Sequence, residues 1–236
     1  MKHVRTRWLT AALLLLVPGV PARAQTSTTE FLPEVDAYVQ LSSNVRFAFQ
    51  DKETIANGSL AVSDFGASIE AYLRPLEALK RVTVFDLDET KCVPVLFSAG
   101  YRYLPAPGKP AVNRMEPFVM FHFPLRGFLI TDKNRADLDW STGSFKWRYR
   151  NRLTAERRLT IRSYHPGPYA SAEAFYESPY SKWAVTRLYT GCLLPLSKHV
   201  ELDPYYQHEN NTGPRPNQQK NGVGLILSLY FPRNKK

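Results

Sequence analysis

Apolar residues recur at every second position through most of this chain, and no other feature limits the possible folds as strongly. Val35, Ala37, Val39 and Leu41 alternate with Asp36, Tyr38 and Gln40, and Phe65, Ala67, Ile69, Ala71 and Leu73 alternate with Asp64, Ser68, Glu70 and Tyr72. Val95, Phe97, Ala99, Tyr101 and Tyr103 share one face of the next segment, and the pattern returns near residues 128–140, 144–157, 169–177, 183–194, 199–208 and 223–231. Period two sends successive side chains to opposite faces of an extended strand, whereas a helix needs a period of about 3.6. Turn formers separate the runs at Ser141-Thr142-Gly143-Ser144, Pro124-Leu125-Arg126-Gly127 and Pro195-Leu196-Ser197-Lys198. Longer polar stretches at Asp51–Ser59, Pro105–Val112 and Glu209–Asn221 read as extended loops between strands.

The N-terminus reads as an export address. Lys2, Arg5 and Arg7 precede an apolar run from Trp8 to Val17, and Ala22-Arg23-Ala24 offers a cleavage site after Ala24. The run is about half the ~20 residues a spanning helix needs. A cleaved leader over 1–24 leaves one domain over 25–236, with 27 basic and 21 acidic residues and a net charge of +6. That surplus is too diffuse to point to nucleic acid. Two cysteines rule out a disulfide-stapled miniprotein and a multi-ligand zinc domain. Cys92 and Cys192 fall on segments that are not neighbours in sequence, and they are not expected to pair.

A soluble β-sandwich alternates in the same way, so the question is which solvent the apolar face meets. Three features favour lipid. The run from Phe145 to Glu156 is longer than an ordinary strand of about 5–6 residues and suits a tilted bilayer crossing of about 9–11. The opposite faces are charged rather than merely polar. Aromatic residues gather near strand ends at Trp140, Trp147, Trp183, Tyr205, Tyr206, Tyr230 and Phe231. The expected fold is all-β: a single closed antiparallel transmembrane β-barrel of 10–12 strands, twelve being the best count. Ten segments are clear if Val35–Phe49 is one long strand, and eleven if Ser42-Ser43-Asn44 is a turn. Bacterial single-chain barrels usually have an even number, so eleven would need one more, for which Arg81–Asp88 is the candidate.

The last strand sharpens this reading. Val223, Leu225, Leu227, Leu229 and Phe231 form an unbroken apolar face, with Gly224, Ser228 and Tyr230 opposite. This resembles the C-terminal signal of outer-membrane barrels, a strand ending in an aromatic residue that the barrel assembly machinery reads; here Pro232–Lys236 follows it. A wider resemblance rests on Arg135, on Ser144–Thr154 with its Trp147-Arg148-Tyr149-Arg150-Asn151-Arg152-Leu153 core, on Glu156-Arg157, and on Pro168–Tyr176. Pro204-Tyr205-Tyr206 and Gly222–Phe231 continue it. These segments resemble a bacterial envelope family whose domain has no assigned function and is generally placed among outer-membrane β-barrels. The resemblance implies a Gram-negative outer-membrane location and a barrel fold, and no reaction.

With Ser141–Ser144 as a turn, antiparallel pairing sets Asp139 against Lys146, Asp137 against Arg148, Arg135 against Arg150 and Lys133 against Arg152. Lys146, Arg148, Arg150 and Arg152 then project to one side, and Trp147, Tyr149 and Leu153 to the other. Lipid disfavours a Lys or Arg by about 2–4 kcal/mol near the midplane, so the charged side belongs in the lumen. Two readings stand for this ladder, which Glu156 and Glu173 join: structural ion pairs filling a narrow barrel, or an anion-attracting stripe that binds or passes a small anionic solute. An alternative function is an outer-membrane enzyme acting on lipid or lipopolysaccharide, although the His and Ser residues match no esterase motif. A soluble lipid-carrying barrel is a further alternative. No cofactor or metal is called for; the expected partners are outer-membrane lipids, lipopolysaccharide and the barrel assembly machinery.

Overall fold

The computed structural model describes residues 26–76, 78–80, 87–214 and 216–233, so the expected leader lies outside the described residues. Twelve strands follow in order: β1 (Thr26–Gln40), β2 (Val45–Ala56), β3 (Ser59–Tyr72), β4 (Val95–Ala106), β5 (Lys109–Met115) and β6 (Phe118–Leu125). Then come β7 (Phe128–Ser141), β8 (Ser144–Glu156), β9 (Gly167–Glu177), β10 (Lys182–Pro195), β11 (Val200–Asn211) and β12 (Gln218–Phe231). They form one sheet that closes on itself into a barrel. No helix among the described residues is long and apolar enough to cross a membrane.

Strands β5 and β6 are two pieces of one stave. Both lie between β4 and β7 in a single register, with Met115 opposite Tyr101 and Leu138, and Phe118 opposite Ser98 and Arg135. The break falls at Pro117, which has no N–H to give to the ladder. Around it the Glu116 N–H still reaches the Gly100 carbonyl at 2.8 Å, and the Pro117 carbonyl accepts from Ala136 at 3.0 Å.

The barrel therefore has eleven staves plus the extra strand that this break creates. An odd number makes the first and last staves run the same way. Strand β12 accordingly pairs parallel to β1, from Thr26 against Gln218 to Val39 against Phe231. The twelve strands match the best count, and this parallel seam is the one departure from antiparallel pairing among the described strands. The barrel starts at one mouth with Thr26 and finishes at the other with Phe231. Of the expected extra strand Arg81–Asp88, residues 81–86 lie outside the described residues; Leu87 and Asp88 lead into a 3-10 turn over Glu89–Cys92.

Three hairpins turn on two residues with positive φ: Asn57-Gly58 (50° and 81°), Arg126-Gly127 (49° and 84°) and Thr142-Gly143 (36° and 76°). That left-handed pair matches the twist of the strands it joins. The polar stretches expected as loops are largely strand: β2 runs to Ala56, β5 starts at Lys109, β11 runs to Asn211 and β12 begins at Gln218. Ladder hydrogen bonds are made by the backbone, so a strand continues through polar residues once neither face needs to be apolar. The two longest connections, 73–94 and 157–166, leave strands β3 and β8 at the opposite mouth from the Asn57-Gly58 and Thr142-Gly143 turns.

The barrel is polar inside and apolar outside. Glu34, Arg46, Glu70, Arg150, Glu173, Glu201 and Glu209 are buried in it, and Asp137 is wholly buried. On the outer face Ile69, Phe97, Leu153, Leu188 and Val223 are each more than half exposed (52–57%). In β12, Val223, Leu225 and Phe231 are exposed and Leu227 and Leu229 half-buried, while Gly222, Gly224 and Ser228 are buried on the inner side. Gly224 is needed where it stands, since a β-carbon there would overlap the Tyr205 ring lying across it. The apolar interior is confined to small clusters. One gathers Leu32, Tyr189 and Tyr205; another sets Tyr72, Val93 and Leu96 against Phe118 and Met120.

Candidate functional site

The lumen contains a cavity of about 750 Å³ lined by side chains from every stave. Its most charged wall is the β7–β8 hairpin. The Ser141–Ser144 turn sets Asp139 against Lys146, Asp137 against Arg148, Arg135 against Arg150 and Lys133 against Arg152.

Asp137 is the hub of this wall. Its carboxylate lies 2.8 Å from Arg135 Nε, 3.3 Å from Arg148 Nε, 3.5 Å from Arg150 Nη1 and 3.8 Å from Arg114 Nη1. Four guanidiniums converge on one buried carboxylate, and other acids balance the excess. Asp139 takes a two-point contact from Arg114 at 2.6 and 2.9 Å. Glu116 binds Arg135 at 2.7 Å, and Glu173 binds Arg150 at 2.7 Å and Arg152 at 3.0 Å. Such a network is stable only when each buried charge keeps a partner.

Two of the expected ladder residues lie at the barrel ends. Lys146 is exposed at the barrel end, because Asp139 opposite it is engaged by Arg114 and by Arg148 at 3.3 Å. Glu156 lies at the other mouth, where it pairs with Lys91 at 2.8 Å and Arg158 at 3.6 Å. Several residues of the network were not singled out from the sequence: Arg102 and Arg114 from β4 and β5, and Arg187 and Glu209 from β10 and β11. Arg114 and Glu116 sit two apart beside Pro117, and only the alternation itself marked them as inward.

The wall formed by β1 and β11 carries the opposite sign, through Glu30, Glu34, Asp36, Glu201, Asp203 and Glu209. Glu34 holds Lys52 at 2.8 Å, and Arg187 and Lys220 reach Glu209. Buried oxygens of Asp36 and Asp203 (Oδ1 in each) have no hydrogen-bond partner among the described residues.

Residues 87–93, the last described part of the connection after β3, enter one mouth and close part of it from within. Asp88 caps the Glu89–Cys92 turn, accepting from the Thr90 N–H at 3.0 Å, and binds Arg46 Nη1 at 2.6 Å. Burial pushes the Asp88 carboxyl up, but the charges of Arg46 and Lys91 outweigh it and hold the group well below the usual carboxylate range. His122 is anchored here too, with Nδ1 at 2.8 Å from the Val93 carbonyl. Cys92 lies in the turn rather than on a strand and is not bonded to Cys192. No cluster suited to holding a metal ion occurs among the described residues.

Fold and site together define a closed β-barrel with an ion-paired interior and an apolar outer face. Residues 95–220 match the family described as Protein of unknown function (DUF2490). The match takes in more than half of the chain, and the chain belongs to that family. No curated protein and no solved structure matches it.

Proposed function

We propose that this protein is an outer-membrane β-barrel whose narrow lumen is braced by ion pairs and binds or passes a small anionic solute. The observation that carries the reading is the inversion of polarity: a wholly buried Asp137 among four arginines inside, and an outer surface of Phe, Leu, Ile and Val. In water this arrangement exposes apolar area on every stave, whereas in lipid the same face is solvated and the charges are sheltered. A 13-residue strand such as β8 tilted by ~40° rises roughly 33 Å, enough to cross the ~30 Å hydrocarbon core. The tryptophans support the same placement. Trp147 stacks on Tyr176 at 5.6 Å, Trp183 meets Tyr149 and Tyr176 at 5.9 Å, and Trp140 meets Phe145 at 5.2 Å. They form a patch near one mouth, where an interfacial girdle belongs. On this reading the export leader and the apolar face of β12 serve delivery and assembly, and the partners are outer-membrane lipids, lipopolysaccharide and the assembly machinery.

The test is a matched pair of substitutions with envelope fractionation and heat-modifiable gel mobility. Leu227→Arg, on the outer face, is expected to destabilise the barrel by about 2–4 kcal/mol or block its assembly. Ser228→Arg points inward toward Asp36 and Glu201 and is expected to be tolerated better. Recovery of the wild-type protein in a soluble fraction, or equal losses for the two variants, overturns the placement. Conductance in planar bilayers then separates a pore from a closed barrel.

A further inference from the structure

We propose an oxyanion-binding subsite in the lumen between Lys133 and Arg152, suited to the phosphate group of a small solute. It deepens the lumen reading above, resting on it for the solute's route but not for the site's chemistry. Lys133 and Arg152 are direct cross-strand partners on the inner face of β7 and β8. Like charges placed opposite each other, with β-carbons about 4.5–5.5 Å apart, repel unless an anion intervenes. One rung away, Arg135 and Arg150 form the same like-charge pair, and there Glu116, Asp137 and Glu173 neutralise it.

No carboxylate contacts Lys133 directly; Glu116 and Glu70 act on it only at longer range. Among the described residues it makes no ion pair or hydrogen bond, and its ammonium sits over the Phe118 ring at 3.9 Å. A ring face replaces only part of what water or a carboxylate supplies to a cation. Arg152 spends Nη2 on Glu173 and on the Tyr189 hydroxyl, while its Nη1 makes no hydrogen bond among the described residues and its side chain stays about a third exposed to the lumen. Two neighbouring cations thus keep donors unspent, inside a cavity large enough for a small solute.

The next rung is hydroxyl-bearing: Thr131 faces Thr154, and the Thr154 hydroxyl lies 2.7 Å from that of Ser171. All three line the same cavity. A phosphate offers several acceptor oxygens in a compact group, matching an ammonium, a guanidinium N–H and adjacent hydroxyls at once. A halide neutralises charge but offers only one centre to these diverging donors.

The test titrates the purified full-length barrel in detergent with inorganic phosphate, at ionic strength fixed with chloride, by calorimetry and thermal unfolding. The wild type should bind phosphate and unfold at a higher temperature in its presence. Lys133→Met should lose about tenfold or more in affinity, the effect of one charge-assisted hydrogen bond. It should unfold in chloride no earlier than the wild type, since no ion pair or hydrogen bond is lost and the apolar side chain still covers the Phe118 ring, and Lys133→Arg should restore binding. Lys52→Met removes a cation that has its own carboxylate, Glu34 at 2.8 Å; it should unfold earlier and keep phosphate affinity. Absence of phosphate binding in the wild type, or equal affinity in Lys133→Met, overturns the subsite. Phosphate binding that depends on Lys133 in a barrel silent in bilayers would sustain the subsite while removing the pore.

Discussion

Two successive rungs of the β7–β8 hairpin carry basic residues on both strands, yet they end in different states. Arg135 and Arg150 meet Glu116 from the neighbouring stave, Asp137 from their own hairpin and Glu173 from β9. Lys133 and Arg152 share only the outer reach of Glu173, on the arginine's side. The rungs have the same face, hairpin and sign of charge, so the difference comes from what adjoining staves bring to each level. A like-charge pair supplied with acids braces the barrel. One left short of them keeps donors facing the cavity.

The largest expected effect comes from removing the acid at the centre of the neutralised rung. Asp137→Ala leaves Arg114, Arg135, Arg148 and Arg150 crowded around an empty position. Breaking a buried pair of this kind costs about 3–5 kcal/mol, read as a lowered denaturant midpoint in detergent. Arg148 is about a third exposed, so Arg148→Ala should cost about 0–1 kcal/mol, and the double variant should lose less than the sum of the singles. Strict additivity would mean that Asp137 and Arg148 do not act together.

Glu116→Gln makes the neutralised rung resemble its neighbour. Glu116 serves Arg135 at 2.7 Å and Arg102 at 3.6 Å, and losing a hydrogen bond to a charged group costs about 1.5–3 kcal/mol. The freed Arg135 should add to phosphate affinity in the calorimetric titration. Unchanged affinity would show that a missing acid alone does not open a site.

A third case is a guanidinium neutralised from a loop, and its effect is the smallest. Arg46 depends on Glu70 from β3 and on Asp88 from the closing segment. The Asp88 carboxyl is held below its ordinary value of about 3.9 in the folded chain. Its contribution is therefore complete above about pH 4 and is lost as the pH falls through the folded value. Protease cleavage within 73–94 should rise only below that pH in the wild type, and at neutral pH in Asp88→Asn. Acid-independent cleavage would separate the closing of the mouth from this ion pair.

The fold was largely legible because outward-facing and inward-facing residues of a closed barrel alternate; Val223–Phe231 shows an unbroken apolar face, and in Phe145–Glu156 only Asn151 interrupts it. Misreadings came where the alternation lapses. Asn57-Gly58 is a strong hairpin signal, but the polar residues before it read as a loop although β2 continues through them. The closing segment was invisible for a different reason. Asp88, Lys91 and Val93 gain their roles from Arg46, Glu156 and Leu96, whose positions in the chain do not reveal their proximity.

What the sequence determined by itself was local: extended backbone, the side of each strand a residue takes, and the register of a hairpin whose turn leaves one choice. A period of two and a two-residue turn depend only on chain geometry. The tertiary structure decided between the ten and eleven staves that the alternation allows, since the chain turns between Gln40 and Val45, and the odd count makes the β1–β12 seam parallel. It also decided which charges are matched. Partners for Asp137 come from β5, β7 and β8, and the shortage at Lys133 appears only once every wall of the lumen is in place. Electrostatic balance in a closed lumen belongs to the whole ring, because each charge answers to neighbours on staves far away in the chain.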